Sequence, residues 1–212
     1  MPRLPENVVD RLYGRGTTFI AGYLAPHRWI TPNRISLAGF LIGGVVTSVS
    51  ILTLPLWVAG LLFAFGDLLD CLDGHVARKQ GTDSSEGAIV DAVLDRYTDF
   101  LTVGALTYLV AVILDEYSDF LIGASAYLTE NTALLLGLAA LMGTMLTPYV
   151  RAKTEAEGKR SVPSIGDRGW RNRILVFGLI LNQPIWTLGL VAIAANISAL
   201  HRMIIALRKV VQ

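Results

Sequence analysis

Long apolar segments, separated by short polar ones, dominate the pattern of hydrophobic and polar positions along the chain. About 20 consecutive apolar residues are enough for a helix to cross the hydrocarbon core of a bilayer. The pattern therefore predicts an all-α integral membrane protein with six transmembrane helices. The fifth helix is short for a full span unless it begins near Arg168. The predicted helices cover residues 35–54, 57–79, 86–114, 131–156, 171–181 and 185–207.

The N-terminal part of the chain follows a different, amphipathic pattern. Apolar residues recur at helical spacing over residues 4–26, opposite several charged residues. We expect one or two short helices that lie in the membrane interface, interrupted near Gly14 and Gly16. A soluble helix packed on the rest of the domain is the alternative. The chain is accordingly divided into an interfacial amphipathic segment, residues 1–30, and a six-helix domain, residues 31–212.

Polar residues mark where two of the helices begin. Thr31 or Asn33 can cap the first transmembrane helix, with Pro32 at a position where a helix needs no N–H donor. Ser84 or Ser85 can cap the third transmembrane helix, after a polar turn.

The distribution of charge indicates the topology. The chain has 212 residues, of which 53% are hydrophobic and only 17% charged, as expected of a membrane domain rather than a soluble one. The loops near residue 55, over 115–130 and over 182–184 contain no Lys or Arg, whereas the intervening loops are basic. The positive-inside rule then places both termini in the cytosol. We expect no cleavable signal peptide, and the single cysteine, Cys71, excludes an intramolecular disulfide.

Carboxylates cluster at the predicted cytosolic ends of the second and third transmembrane helices. Asp70 and Asp73 share one helix face, and so do Asp91 and Asp95, because residues three or four apart are neighbours on a helix. If the two faces meet, four negative charges crowd into a partly dehydrated space. Such an array requires protonation or neutralising cations, and hard ions with oxygen ligands fit best. We predict a site for Mg²⁺ or Mn²⁺, with two ions able to bind a diphosphate.

These residues belong to a longer pattern, Asp-x2-Asp-Gly-x2-Ala-Arg-x8-Gly-x3-Asp-x3-Asp, over residues 70–95. The pattern resembles the signature of the CDP-alcohol phosphotransferase family of membrane lipid-synthesis enzymes. The resemblance implies transfer of a phosphatidyl-type group from a CDP-linked lipid to an alcohol, with release of CMP. The donor would be CDP-diacylglycerol or an ether analogue.

The resemblance also implies roles for individual residues. It implies Asp95 as the general base, a role for which a carboxylate beside a metal-held hydroxyl is suited. The implied metal ligands are Asp70, Asp73, Asp91 and Asp95. The implied nucleotide-binding residues are Asp70, Asp73, Gly74, Ala77, Arg78 and Gly87.

Three arginines after the fourth helix are candidates for binding the acceptor. Arg151, Arg168 and Arg171 lie in segments similar to those of family members whose acceptor carries a phosphate. Asp167 and Lys153 depart from those members, which usually have Glu and Arg there. Clustered guanidinium groups suit a phosphorylated polyol, with inositol phosphate favoured, glycerol 3-phosphate second and serine also possible. Alternatively these arginines only follow the positive-inside rule and contact lipid headgroups.

The carboxylates could instead have a structural role or a role in transport. They could form structural ion pairs with Arg78, Arg96 and Arg202, or line the pathway of a divalent-cation transporter. A transporter predicts acidic residues along the full depth of several helices, whereas here they gather near one side. The roles of Asp67 and Asp99 stay open, with Arg202 and Arg96 as candidate partners.

Small residues favour close contacts between helices and between subunits. Gly39, Gly43 and Gly104 lie in apolar helices, and the family commonly forms homodimers, so a homodimer is expected. We expect an integral protein of the plasma membrane with its active site facing the cytosol, and no nucleic-acid partner. The sequence leaves open the acceptor, the ester or ether nature of the lipid and the preferred metal.

Overall fold

The computed structural model describes residues 8–113, 130–159 and 168–208, and every regular element within these ranges is a helix. The middle of α2, Phe40–Val46, is π-helical, and α4 continues as a π-helical turn over Leu109–Ile113. The helices are α1 (Val8–Leu24), α2 (Pro32–Thr53), α3 (Leu56–Gln80), α4 (Ser85–Tyr108), α5 (Glu130–Ala156), α6 (Arg168–Ile180) and α7 (Pro184–Leu207).

Three of these helices, α2, α5 and α7, are long and apolar enough to cross a membrane. Helices α3 and α4 have 25 and 24 residues and carry the carboxylates that lower their mean hydropathy. Large apolar side chains such as Phe65, Leu138 and Ile193 are exposed on the outer surface, as expected of a face in contact with lipid. The prediction of an all-α membrane protein is confirmed, and α6 begins at Arg168, the earlier of the two predicted starts.

Helix α1 is continuous, so the predicted interruption at Gly14 and Gly16 is wrong. A glycine inside a helix costs only about 1 kcal/mol, which tertiary contacts can offset. Here α1 packs on α3: the side chain of Lys79 donates to the Thr18 carbonyl, and Ala21 is fully buried.

The helix ends follow the polar signals in part. The Ser84 hydroxyl accepts a hydrogen bond from the Gly87 amide at 3.1 Å and so caps α4, as predicted. Thr31 occupies the corresponding position of α2 with an extended backbone, but its side chain makes no capping bond. Helix α3 continues through Gly74 and ends at Gly81, which adopts the left-handed conformation (φ 65°) that glycine tolerates best.

Close backbone contact between α2 and α3 determines how the acidic helix sits in the bundle. A Cβ atom built on Gly66 would lie 2.6 Å from the Gly43 nitrogen, so neither position has room for a side chain. The π-helical turn of α2 contains Gly43, whose carbonyl accepts a hydrogen bond from the buried Thr102 hydroxyl of α4. Helix α2 thus contacts both α3 and α4 near their carboxylates.

Two apolar clusters surround this region. The larger cluster contains residues from each of the helices from α2 through α7, among them Phe63, Leu106, Leu175 and Val191. The smaller one, built around Leu72 and Val76, lies where α1 and α2 pack on α3. The carboxylates lie at the polar end of α3 and α4, beyond the larger cluster.

Candidate metal centre and acceptor cavity

Helices α3 and α4 bring three of the four predicted carboxylates together. Asp70, Asp91 and Asp95 each offer an oxygen, and these oxygens lie within 4.8 Å of one another. Asp95 is 9% exposed, and the other two residues are partly buried. The two helix faces therefore meet, which is the condition that the sequence left open.

Asp73 lies outside this trio of mutually close oxygens. One of its oxygens accepts a hydrogen bond of 2.5 Å from the Ser36 hydroxyl, and the other accepts the Gly74 amide. Ser36 belongs to α2, and both Ser36 and Asp73 are buried. A serine of the first apolar span thus orients a carboxylate of the signature.

We expect Ser36→Ala to weaken the site without unfolding the chain. The change leaves a buried carboxylate oxygen without its donor, which costs about 1–3 kcal/mol. Activity with a CDP-linked lipid should fall about tenfold or more, as a loss of that size implies. Ser48→Ala is the matched control, because among the described residues the Ser48 hydroxyl bonds only within its own helix, to the Gly44 carbonyl. Equal activities of the two variants would contradict an orienting role for Ser36.

A guanidinium group bridges two of the clustered carboxylates. Nη1 of Arg168, at the start of α6, donates to Asp70 Oδ2 at 2.6 Å and to Asp95 Oδ2 at 2.7 Å. Arg96 approaches the same Asp95 oxygen at 3.8 Å. Arg96, one of the arginines considered as structural partners of these carboxylates, therefore lies near the cluster. The closest contacts, however, come from Arg168.

The carboxylate cluster has the chemistry of a divalent-cation site. Carboxylate oxygens are the ligands that Mg²⁺ and Mn²⁺ prefer. Oδ1 of Asp91 is buried and has no hydrogen-bond partner among the described residues. An orphaned, buried carboxylate oxygen is costly, and a cation would satisfy it. The residues present therefore fit a divalent metal.

A second layer of polar contacts lies behind the cluster. Asp99 accepts from Arg96, its candidate partner, at 2.9 Å and from the buried Arg171 at 3.3 Å. Both arginines also donate to the Thr144 carbonyl of α5. Asp67 accepts a hydrogen bond from the Asn172 amide of α6. These contacts hold α6 against α3, α4 and α5.

A cavity of about 890 Å³ opens beside the carboxylates, between α4, α5, α6 and α7. Asp91 and Asp95 form one wall, so the cavity meets the candidate metal site. Its basic lining residues are Arg96, Arg151, Arg168, Arg171 and Arg202. The surplus of positive charge suits an anionic ligand.

The three predicted acceptor-binding arginines occupy different positions in this cavity. Arg171 is 2% exposed, with Nε lacking a partner among the described residues, and Arg168 bridges the carboxylates. Arg151 is exposed at the rim and pairs with Glu155 at 3.0 Å. Asp167 lies outside the described residues, as does the rest of segment 160–167.

This chain has Lys153 where family members with phosphorylated acceptors usually have Arg. Lys153 lies on the exposed face of α5. It pairs with Glu157 at 2.5 Å, and this hydrogen bond lowers the pKa of Glu157. Lys153 therefore pairs with a nearby surface carboxylate rather than facing a ligand in the cavity.

Two of the predicted nucleotide-binding residues, Gly74 and Gly87, lie beside polar side chains. A Cβ on Gly74 would meet the Arg78 guanidinium at 3.5 Å, and one on Gly87 would meet the Asn33 side chain at 3.6 Å. Both distances are those of ordinary van der Waals contact. His75 donates to the Cys71 carbonyl of its own helix.

Sequence reasoning missed several residues that complete the site. Ser36, Asn172 and Thr144 come from other helices, and no spacing rule links them to the aspartates. Ser36 follows the Thr31-Pro32-Asn33 segment by three residues, which offered a weak signal. Asn172 lies between Arg171 and Arg173 in the first half of α6, and a buried polar residue needs a partner.

The fold and the site define a class: an all-helical membrane protein with a carboxylate cluster between two helices and a basic cavity beside it. The model of the CDP-alcohol phosphatidyltransferase family matches residues 29–206. The chain belongs to this family of transferases, as the signature predicts.

Relatives within the family differ in length and name. The chain is 32% identical to a bifunctional IPC transferase and DIPP synthase of Archaeoglobus fulgidus over 63% of its own length but only 23% of that relative. It is 30% identical to a phosphatidylinositol phosphate synthase of Mycolicibacterium smegmatis, over 82% of this chain and 76% of the relative. The chain therefore spans about a quarter of the bifunctional protein and most of the synthase.

Solved structures share the fold. Phosphatidylinositol phosphate synthase of Mycobacterium tuberculosis in complex with manganese and citrate superposes with a TM-score of 0.71 at 23% identity, covering 90% of this chain and 88% of the other. The same protein with CDP-DAG bound gives a TM-score of 0.70, over 91% and 94% of the two chains. At this identity the likeness establishes a common fold.

Proposed function

We propose that the chain transfers a phosphatidyl-type group from a CDP-linked lipid to a small phosphorylated alcohol and releases CMP. Inositol phosphate is the favoured acceptor, and glycerol 3-phosphate and serine are the alternatives. The observation that carries the proposal is the convergence of Asp70, Asp91 and Asp95 beside a basic cavity. Relatives named as phosphatidylinositol phosphate synthases, one with CDP-DAG bound, support the choice of donor and acceptor.

The four signature aspartates would hold one or two Mg²⁺ or Mn²⁺ ions. Asp70, Asp91 and Asp95 supply the oxygens of the trio, and Asp73 would join them with the orientation that Ser36 gives it. When bound, such cations neutralise the diphosphate and stabilise charge on the leaving phosphate. A related structure in complex with manganese supports this chemistry.

Asp95 is proposed as the general base. Its carboxylate belongs to the trio and also lines the cavity, so a hydroxyl group held in the cavity can reach it. The acceptor proton passes to Asp95, and the acceptor oxygen attacks the phosphorus nearest the lipid. The bond from that phosphorus to the oxygen of the CMP phosphate breaks, and CMP leaves. General-base catalysis contributes about 10²- to 10⁴-fold.

The nucleotide and the acceptor would bind on opposite sides of the carboxylates. Gly74, Ala77 and Gly87 are proposed to let the CDP group approach the backbone, with Arg78 contacting it. On the cavity side, Arg168 and Arg171 would bind the acceptor phosphate. Arg151 is proposed as a contact at the rim, since its guanidinium pairs with the exposed Glu155.

The membrane arrangement follows from the same proposal. We propose six transmembrane helices in the plasma membrane, with both termini and the active site on the cytosolic side. Residues 1–30 would form an interfacial segment and residues 31–212 the catalytic domain. The one-sided distribution of Lys and Arg supports this orientation. A homodimer is proposed on the exposed apolar surface that the helices present.

Release of CMP from CDP-diacylglycerol and its ether analogue tests the proposal directly. With purified protein and Mg²⁺ or Mn²⁺, inositol 1-phosphate should give CMP and an inositol-phosphate lipid, whereas glycerol 3-phosphate and serine should give less. The EDTA-treated protein should lose essentially all activity, and either metal should restore it. Activity unaffected by exhaustive chelation, or cation flux without CMP release, would contradict the proposal.

A further inference from the structure

The bridging guanidinium of Arg168 uses the same oxygens that the metal site needs. Its Nη1 atom lies 2.6 Å from Asp70 Oδ2 and 2.7 Å from Asp95 Oδ2, and these carboxylates come from two different helices. Both also belong to the trio whose oxygens lie within 4.8 Å of one another. One arginine nitrogen therefore stands between two of the three candidate ligands.

A divalent cation and this nitrogen cannot share that position. Mg²⁺ binds oxygen at about 2.1 Å, so an ion between Asp70 and Asp95 occupies the space that Nη1 fills. The positive charges also repel one another at such a distance in a partly buried site. Cation binding by both carboxylates thus requires Arg168 to change partners.

The cavity offers Arg168 a second position. Its side chain lines the cavity and is 29% exposed, so it has room to move, and its Nε has no partner among the described residues. Gly169, which follows, adds no side chain that would fill the space. A phosphate group in the cavity would present paired oxygens that match the fork of a guanidinium.

We propose that Arg168 is a specificity-determining switch residue: it competes with the divalent cation for Asp70 and Asp95 and, once displaced, binds the phosphate of the acceptor. This inference rests on the proposed function and adds a coupling to it. Each ligand removes the competitor of the other, so cation and acceptor phosphate bind with positive cooperativity. By linkage the effect is reciprocal, and couplings of this kind span about 5- to 150-fold.

Equilibrium binding of Mn²⁺ to the full-length chain in detergent tests the coupling, with free Mn²⁺ measured by electron paramagnetic resonance. For the wild type, saturating inositol 1-phosphate should raise Mn²⁺ affinity about tenfold. Arg168→Gln should bind Mn²⁺ about tenfold more tightly than the wild type without the phosphate compound and gain little on its addition. Mn²⁺ present during purification keeps the carboxylates of this variant neutralised, and dialysis removes it only before the titration.

Two further variants separate competition from simple charge. Arg96→Gln removes an equal charge that lies 3.8 Å from the same Asp95 oxygen but does not bridge Asp95 to Asp70, and it should keep the wild-type coupling. Arg168→Lys keeps the charge but lacks the fork, so its Mn²⁺ affinity should stay near that of the wild type while the coupling falls.

The outcomes distinguish this inference from the proposed function. The switch would be overturned if Arg168→Gln bound Mn²⁺ with the affinity of the wild type, or if Arg96→Gln raised the Mn²⁺ affinity as much as Arg168→Gln does. The metal-dependent transferase would still stand. No saturable Mn²⁺ binding in the wild type would overturn both.

Discussion

Asp91→Asn is expected to reduce CMP release by at least about 10³-fold. The substitution keeps the size of the side chain but replaces a charged oxygen of the trio with an amide. Asp91 Oδ1 is buried without a partner among the described residues, so the amide group would meet the cation site directly. Steady-state CMP release with inositol 1-phosphate measures the loss, and Mn²⁺ binding should weaken in parallel.

Asp83→Asn provides the matched control for that experiment. Asp83 is an exposed carboxylate in the turn between α3 and α4, outside the trio. Its replacement should leave CMP release within about twofold of the wild type, as expected of an exposed surface substitution. Retention of a tenth or more of the activity by Asp91→Asn, or equal losses in both variants, would exclude Asp91 as a metal ligand.

Gly66→Ala is expected to have the largest effect on stability. The new methyl group would lie 2.6 Å from the Gly43 nitrogen and closer still to its Cα, and backbone atoms cannot move aside as a flexible side chain can. Helices α2 and α3 would have to separate, and overpacking of this kind costs about 1–3 kcal/mol or more. Because Asp67 and Asp70 follow within about one turn of Gly66, activity should fall as well.

Gly104→Ala is the control for the close helix contact. Gly104 lies in α4, and a Cβ there meets nothing within 4 Å. Because alanine has the higher helix propensity, the free energy of unfolding should stay the same or rise by up to about 1 kcal/mol. The thermal midpoint should accordingly stay unchanged or rise. A Gly66→Ala protein that unfolds at the same temperature as Gly104→Ala would show that the α2–α3 contact tolerates expansion.

Much of the fold was open to prediction because membrane helices are long and uniformly apolar. The ends of α3, α5 and α7 lie within one residue of the predicted ones. The continuity of α1 through Gly14 was missed because helix propensity cannot anticipate packing on α3. The spacing of the four signature aspartates sufficed to predict which of them share a helix face, since helical periodicity is local, whereas the packing of the helices decided that the two faces meet.

The contacts of the arginines could not be predicted in the same way. Arg96 and Asp99 are three residues apart, so Arg96 was at least a candidate partner. The bridge from Arg168 to Asp70 spans 98 positions, and the burial of Arg171 against Asp99 spans 72. Loop geometry and helix packing decide such pairs, and no local rule links them.

The sequence by itself determined that the chain is a helical membrane protein with acidic faces on two neighbouring helices, and its signature placed it in a family. Apolar length and the helical repeat are local properties, so they can be read without coordinates. Only the tertiary structure decided that Ser36 orients Asp73 and that Arg168 stands between Asp70 and Asp95. These contacts join separate helices, and they depend on close approaches such as that of Gly43 and Gly66, which arise only when the bundle is assembled.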